Sequence, residues 1–509
     1  MKFLLLLAVP AVLHAQADRV SRLMSAMPAI DKLIGDFTQR EHIPGAAWGV
    51  IIDGKLAHVG VTGFRDLATK SPVDSASVFR IASMTKSFTA MAILKLRDEG
   101  KLSLDDPAEK YIPELTALKY PTTDSPKITI RHLMSHAEGF PEDNPWGDQQ
   151  LARTDDEMSR MMRAGIPFSN APGVAYEYSN YGFAMLGRIV TRVSGQPYAD
   201  YVAANILRPL GMRSTTLSPT AVPANRLAHG YRWEDDQWKE EPQLPDGAFG
   251  SMGGMLTSLN DLGLYVSALL GAWPPRNGAE TGPIRRSSLR EMQQIWRPAA
   301  TTVRRDAAGN TVLNSGGYGF GLRVSTTCLF SHIVAHSGGL PGFGSQMRWL
   351  PEHGVGLIAF GNRTYTGWGG PFDQALAILA QTGALQPRMA EPSSDLVKMR
   401  ETVTRLVMAW DDNLARTIAA DNLFLDRSID RRAREVAALR ERVGACSIGS
   451  GFGYVENALR GQWIIPCERG GLVASITLAP VIPVKVQYME FSVAPGSGVI
   501  ARSPICSAP

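Results

Sequence analysis

The chain has 509 residues, 44% hydrophobic and 20% charged, with a formal net charge of +4 at pH 7. This is ordinary globular composition; it excludes a disordered tail, and the length allows several hundred-residue units around a large core. Near balance of charge also excludes a strongly basic binding protein. The densest basic stretch, "DRSIDRRAREVAALRER" (426–442), interleaves acids with its arginines and reads as a solvated helix face, so no nucleic-acid partner is expected.

The first residues, "MKFLLLLAVPAVLHAQA", carry one early cation, an apolar run from Phe3 to Leu13, and small residues at Ala15 and Ala17. That pattern predicts a signal peptide over 1–17 and a periplasmic or secreted protein. The run is too short to span a bilayer, and no other stretch reaches some 18 uninterrupted apolar residues, so no membrane span is expected. A helical pattern follows over about 19–40, then "GAAWGVIIDGKLAHVGVTGF", two apolar runs joined by Asp53-Gly54, which predicts a tight hairpin. "IASMTKSFTAMAIL" (81–94) reads as a buried helix from about Ser83, ending near Gly100.

Residues 105–300 are mostly helical patterns separated by Pro and Gly loops, such as "YGFAMLGRIVTRVSG" and "SLNDLGLYVSALLG". Strand signals return in "GYGFGLRVST", "CLFSHIVAHSGG" and "GSQMRWLPEHGVGLIAFGN". They bracket the helical middle. The expected architecture over 18–385 is therefore α+β: a sheet built from both ends, with a helical insertion over about 105–300. "QPRMAEPSSD" breaks the pattern and predicts a linker over 386–395. Beyond it, 396–509 predicts a small α+β unit, helical to about 443 and then three strand-like runs, "GQWIIPC", "GLVASITLAP" and "VKVQYMEFSV".

Cys328, Cys446, Cys467 and Cys506 form no CxxC and have no zinc spacing. In an exported chain a disulfide between Cys446 and Cys467 is expected; the full pairing stays open, because four cysteines allow three connectivities.

Between Arg80 and Arg97 the only charged residues are Lys86 and Lys95. Lys86 falls near the positive end of the helix macrodipole, where a cation is disfavoured. A serine at a helix N-terminus sits beside unpaired backbone N–H groups, and an amine one turn away can accept its proton if burial lowers the lysine pKa. Ser83-x-x-Lys86 fits that chemistry, although an N-cap serine alone explains many such sites. Tyr178-Ser179-Asn180 leads straight into a helical pattern; a phenol and an amide two residues apart in a turn can face one cavity, one relaying a proton and one binding a carbonyl. His336-Ser337-Gly338-Gly339 ends a strand whose glycines allow close approach of a substrate. A backbone N–H there, facing that of Ser83, makes an oxyanion hole worth about 3 kcal/mol per donor.

Ser83-Met84-Thr85-Lys86, Tyr178-Ser179-Asn180 and His336-Ser337-Gly338, in this order, resemble the three motifs of the serine β-lactamase and penicillin-binding protein family. The Tyr-x-Asn motif is most similar to the class C β-lactamase, carboxylesterase and D-aminopeptidase branch, peptidase S12-like. "IRHLMSHAEGF", "ILRPLGMRSTTL" and "GSMGGMLTSLNDLGLYVSALL" are similar to family segments too, and the resemblance covers about 30–385.

The resemblance implies a β-lactamase/transpeptidase-like fold. Ser83 becomes the acylated nucleophile, Lys86 its activating partner, and Tyr178 the general base and then the acid to the leaving group. Asn180 binds the substrate carbonyl and fixes Lys86, His336 and Ser337 face the leaving-group side, and the N–H groups of Ser83 and Gly339 form the oxyanion hole. No metal or organic cofactor is implied. His336 stands where the family usually has lysine, which weakens recognition of a β-lactam or D-Ala-D-Ala carboxylate. The function expected is an exported serine hydrolase of esterase or D-peptidase type. A β-lactamase or D,D-carboxypeptidase is one alternative, and a penicillin-binding sensor that acylates without turnover is another.

Other chemistries are less well supported. No serine has glycine at both −2 and +2, as an α/β-hydrolase requires. His332 and His336 are four apart but lie in a strand pattern, and "GYGFG" (317–321) misses GxGxxG. Trp146 in "PEDNPWGDQQ" is a candidate wall of the substrate cleft or a plain loop aromatic.

Overall fold

The computed structural model describes residues 17–305, 309, 311–449, 451–495 and 505–506. The expected signal peptide therefore lies, except for Ala17, outside the described residues. The described residues form two compact units, one of residues up to 273 with 278–387 and 505–506, the other of 274–277 with 388–495. The break between them falls inside the predicted linker.

In the first unit the expected 19–40 helix is broken. Residues 17–24 are helical, a turn follows, and α1 (Met27–Arg40) restarts with Pro28 in its first turn, where its missing N–H costs nothing. The hairpin forms as predicted: β1 (Gly45–Ile52) and β2 (Lys55–Asp66) pair antiparallel around Asp53 and Gly54, both at positive φ, as a two-residue type I′ turn demands. β3 (Val78–Arg80) leads to the Ser83 turn and α2 (Thr85–Asp98), with Gly100 at positive φ two residues past its end. α3 (Asn180–Ser194) begins at the second motif. β4 (Leu256–Ser258) pairs with β3 and runs into α4 (Leu259–Leu270). β5 (Thr311–Tyr318), β6 (Arg323–Thr327), β7 (Ile333–Leu340), β8 (Phe343–Leu350) and β9 (Val355–Gly361) follow, and α5 (Gly369–Gln381) closes the unit.

These strands make one antiparallel sheet in the order β2-β1-β9-β8-β7-β6-β5, with two-residue strands at its edges and Thr302–Arg305 against β5. The two ends of the unit meet where β1 pairs with β9. β1 is buried on both faces, and its side chains alternate. Ala46, Trp48, Val50 and Ile52 join the core under α1 and α5, while Ala47 and Ile51 join the core that holds α2, α3 and α4. The architecture is the anticipated α+β sheet built from both ends, but the insertion is shorter than 105–300. α4 packs directly on β1, β2 and β9, so it belongs to the layer covering the sheet. Its apolar pattern reads the same in either place. The middle segment also holds a hairpin, Gly230–Glu234 with Gln237–Glu241.

In the second unit, α6 (Ser394–Met408), α7 (Ile429–Val443) and an antiparallel sheet, β10 (Tyr454–Asn457), β11 (Arg460–Cys467), β12 (Gly470–Leu478) and β13 (Val486–Val493), enclose a separate apolar core. Four strands stand where three were expected, since β10 is too short to alternate. The basic stretch is indeed a helix, with Arg432 turned inward to donate to the Met489 carbonyl. Disulfides join Cys446 to Cys467, as expected, and Cys328 to Cys506. No helix among the described residues is long and apolar enough to cross a membrane.

Candidate active site

The turn that carries Ser83 is held from three sides. Arg80 is buried and donates to the carbonyls of Gly254 and Leu244. The Ile81 N–H donates to Met255 O, and Ile81 O accepts from the Ser345 hydroxyl on β8 at 2.9 Å. Ala82 has φ +48°, a left-handed conformation that a residue with a Cβ adopts at a cost of about 1–2 kcal/mol. Strain of this kind persists only where its surroundings over-determine it, and here it aims the next residue. Ser83 then sits in a single 3-10 turn before α2, 8% exposed, so it is set deep yet reachable.

Lys86 lies one turn on and is fully buried. Its Nζ is 3.0 Å from Ser83 Oγ, 2.6 Å from Asn180 Oδ1 and 2.7 Å from the Met252 carbonyl. A neutral amine has two N–H donors and one lone pair. The two carbonyl oxygens can only accept, so they take the two hydrogens, and the lone pair is left for the Ser83 hydroxyl. Burial favours that neutral form: it brings the Lys86 pKa down to about 7, against the opposing pull of Asp148 and Asp143.

Tyr178 stands over this amine, with Nζ 4.9 Å from the ring centroid. Burial pushes its phenol well above the usual range, while the Ser83 hydroxyl and Arg323 work the other way. It is a neutral phenol at physiological pH. Asn180 is buried behind Lys86, its Nδ2 donating to Asn144 Oδ1. Asn144 and Pro145, rather than Asn180, form the adjacent cleft wall.

The third motif runs along β7. His336 is buried, Nε2 at 2.7 Å from the Tyr318 hydroxyl and Nδ1 at 2.6 Å from the Ser337 carbonyl. A carbonyl can only accept, so Nδ1 carries the proton and Nε2 accepts from the phenol. Burial, then Lys86 and Arg323, hold its pKa well below the ordinary value. The residue is therefore a neutral, fully bonded wall of the cleft. Ser337 and Gly339 also line it, whereas Gly338 faces inward, where a Cβ would lie 2.0 Å from the Ile81 carbonyl oxygen. Three stretches distant in the chain thus meet at one cleft of about 310 Å³, lined by Ser83, Tyr178 and His336.

Further cleft residues gave no signal in the sequence. Arg323, the first residue of β6, is exposed and lies 5.7 Å over the Tyr178 ring. Asp148 and Tyr365 share a hydrogen bond of 2.9 Å. Asp143 accepts from the backbone N–H groups of Asn180 and Tyr181 at 2.6 and 2.9 Å, tying the loop to the start of α3. Trp146 rests against Tyr181 and Phe249 rather than in the cleft. His332 bonds to the Gln293 carbonyl.

A β-lactamase fold with a serine, a lysine and a tyrosine at one cleft defines a class. The family model described as Beta-lactamase matches residues 30–382, and the chain belongs to that family. It is 29% identical over 338 residues to "Protein flp" of Staphylococcus aureus strain MW2, an alignment covering 65% of this chain. The same relative from strain N315 is equally similar, and in both the chain spans 62% of the relative's length. Among solved structures it is similar to the octameric penicillin-binding protein homologue from Pyrococcus abyssi, with TM-score 0.60, 20% identity, and coverage of 89% of this chain and 96% of that one. At that identity the likeness concerns the fold.

Proposed function

We propose that this protein is a serine hydrolase that cleaves ester or amide bonds through an acyl-enzyme on Ser83. The observation that carries the reading is the hydrogen-bond set of Lys86, which leaves the lone pair of a neutral buried amine on the Ser83 hydroxyl. Lys86 takes the Ser83 proton as Oγ attacks the substrate carbonyl carbon. The oxyanion is held by the N–H groups of Ser83 and Gly339. Tyr178, a neutral phenol, relays a proton to the leaving group, and water then attacks the acyl-enzyme by the reverse route. The general-base role expected for Tyr178 thus moves to Lys86, because burial disfavours a phenolate and favours a neutral amine. Asn180 holds Lys86 from behind.

A second reading, a D,D-carboxypeptidase or β-lactamase, is supported by one observation. Arg323 supplies at the cleft the fixed positive charge that His336 lacks, and a guanidinium binds carboxylates well. We also propose export to the periplasm or cell exterior, supported by the apolar leader pattern and by two disulfides. Labelling with a fluorophosphonate, followed by rates on a nitrophenyl ester and on nitrocefin, tests the function. Loss of labelling in Ser83→Ala is expected; labelling that persists there, or none in the wild type, rejects the mechanism.

A further inference from the structure

Asp148 is a cleft-lining carboxylate that is 3% exposed. A buried carboxylate needs a compensating partner. Among the described residues, the hydrogen bond its side chain accepts comes from the Tyr365 phenol, a neutral donor. Lys86, the cation that acts on it most, spends its nitrogen on Ser83, Asn180 and Met252. Glu142 and Asp143, on the same loop, add negative charge beside it and, with burial, raise its pKa.

Tyr365 is carried over Gly339: a Cβ there would lie 2.7 Å from its ring, so only glycine leaves the phenol room to reach Asp148. Arg323 pairs in register with Ala335, four residues back along β7. At roughly 3.3 Å per residue the two positions are about 13 Å apart. The cleft thus has a cation at one end and a carboxylate at the other, with His336 and Ser337 between. Arg323 lies over Tyr178, the proton donor to the leaving group, so the Asp148 end serves the acyl portion.

Building on the acyl-enzyme reading, we propose that Asp148 is a specificity-determining residue that binds a primary ammonium on the acyl part of the substrate, with Tyr365 and Asn144 as its companions. An –NH3+ group has three donors. The Asp148 carboxylate, the Tyr365 hydroxyl oxygen and Asn144 Oδ1 are three acceptors, the first charge-assisted. The substrate class is an aminoacyl ester or amide with a free amine.

The test compares kcat/KM for D- and L-alanine p-nitroanilide, and for the nitrophenyl ester of 4-aminobutyrate, with their N-acetyl counterparts. The expected result is preference for at least one free amine by about tenfold or more, collapsing toward unity in Asp148→Asn and falling about threefold in Tyr365→Phe. Fluorophosphonate labelling of Ser83 in each variant reports an intact site. Labelling with no preference, or with the same preference in Asp148→Asn, overturns the proposal and leaves the hydrolase reading standing. No labelling of the wild type overturns both. If Asp148→Asn alone fails to label, Tyr365→Phe decides, and an unchanged ratio there overturns the proposal.

Discussion

Lys86 Nζ, one turn on from Ser83, lies 3.0 Å from Ser83 Oγ, with its other two contacts made to carbonyl oxygens that cannot donate. Only the unprotonated amine can receive the serine proton. With the lysine pKa brought down to about 7 by burial, kcat/KM is expected to rise with pH and level off above that value. Lys86→Arg keeps the charge and cannot act as a base, so it should lose about 10²- to 10⁴-fold. A pH–rate profile with an alkyl ester of no ionisable group checks both; an acid limb near pH 5 instead assigns the base elsewhere.

The same burial has a stability consequence of definite sign. Unfolded, the lysine keeps its proton to near 10.5; folded, it gives it up near 7. The unfolded state binds more protons between those values, so the penalty is full below about pH 7 and is relieved as pH rises. Lys86→Met removes the penalty. Its Tm relative to wild type should therefore be higher at pH 6 than at pH 9, measured by thermal unfolding at both.

Gly338 tests how closely β7 and the turn that carries Ser83 are fitted. A Cβ there would meet the Ile81 carbonyl oxygen at 2.0 Å and Ser345 Oγ at 2.5 Å. Something must shift, and the nearest movable piece is the turn that aims Ser83. Gly338→Ala should lower stability by about 1–3 kcal/mol. Its activity should fall further than that loss explains, seen as reduced fluorophosphonate labelling of protein that circular dichroism reports as folded.

The residues of the candidate site stand out in the sequence because they break local rules. Lys86 is a cation inside an apolar helix, and Tyr178 and Asn180 open a helix without a hydrophobic reason to be there. Arg323 and Asp148 break no rule: one begins a strand facing solvent, the other sits in a polar loop, and only tertiary folding brings them to the cleft. α4 could not be assigned to the sheet layer because an apolar face does not name what it covers. The break before α1 is marked only by Pro28, and the apolar pattern that resumes at once hides it.

Arg323 should divide substrates by charge. Its guanidinium is the exposed cation at the end of the cleft where His336 is neutral and bonded on both nitrogens. Arg323→Ala is expected to raise KM about tenfold for substrates with a carboxylate on the leaving-group side, and to change it little for uncharged esters. Equal losses on both sets, measured by steady-state kinetics, assign Arg323 to support of Tyr178 rather than to substrate binding.

Both disulfides are checked by peptide mapping without reductant, which should recover Cys446 with Cys467 and Cys328 with Cys506. The first closes a loop of sequence separation 21 within the second unit, whose core is separate from that of the β-lactamase fold. Closing a loop of this size is worth about 3 kcal/mol, mainly by restricting the unfolded chain. Replacing Cys446 and Cys467 together by serine should therefore lower the unfolding transition of that unit and leave fluorophosphonate labelling of Ser83 unaltered below it. Denaturant titration followed by hydrogen exchange resolves the two units, and a shift confined to the other unit contradicts the assignment.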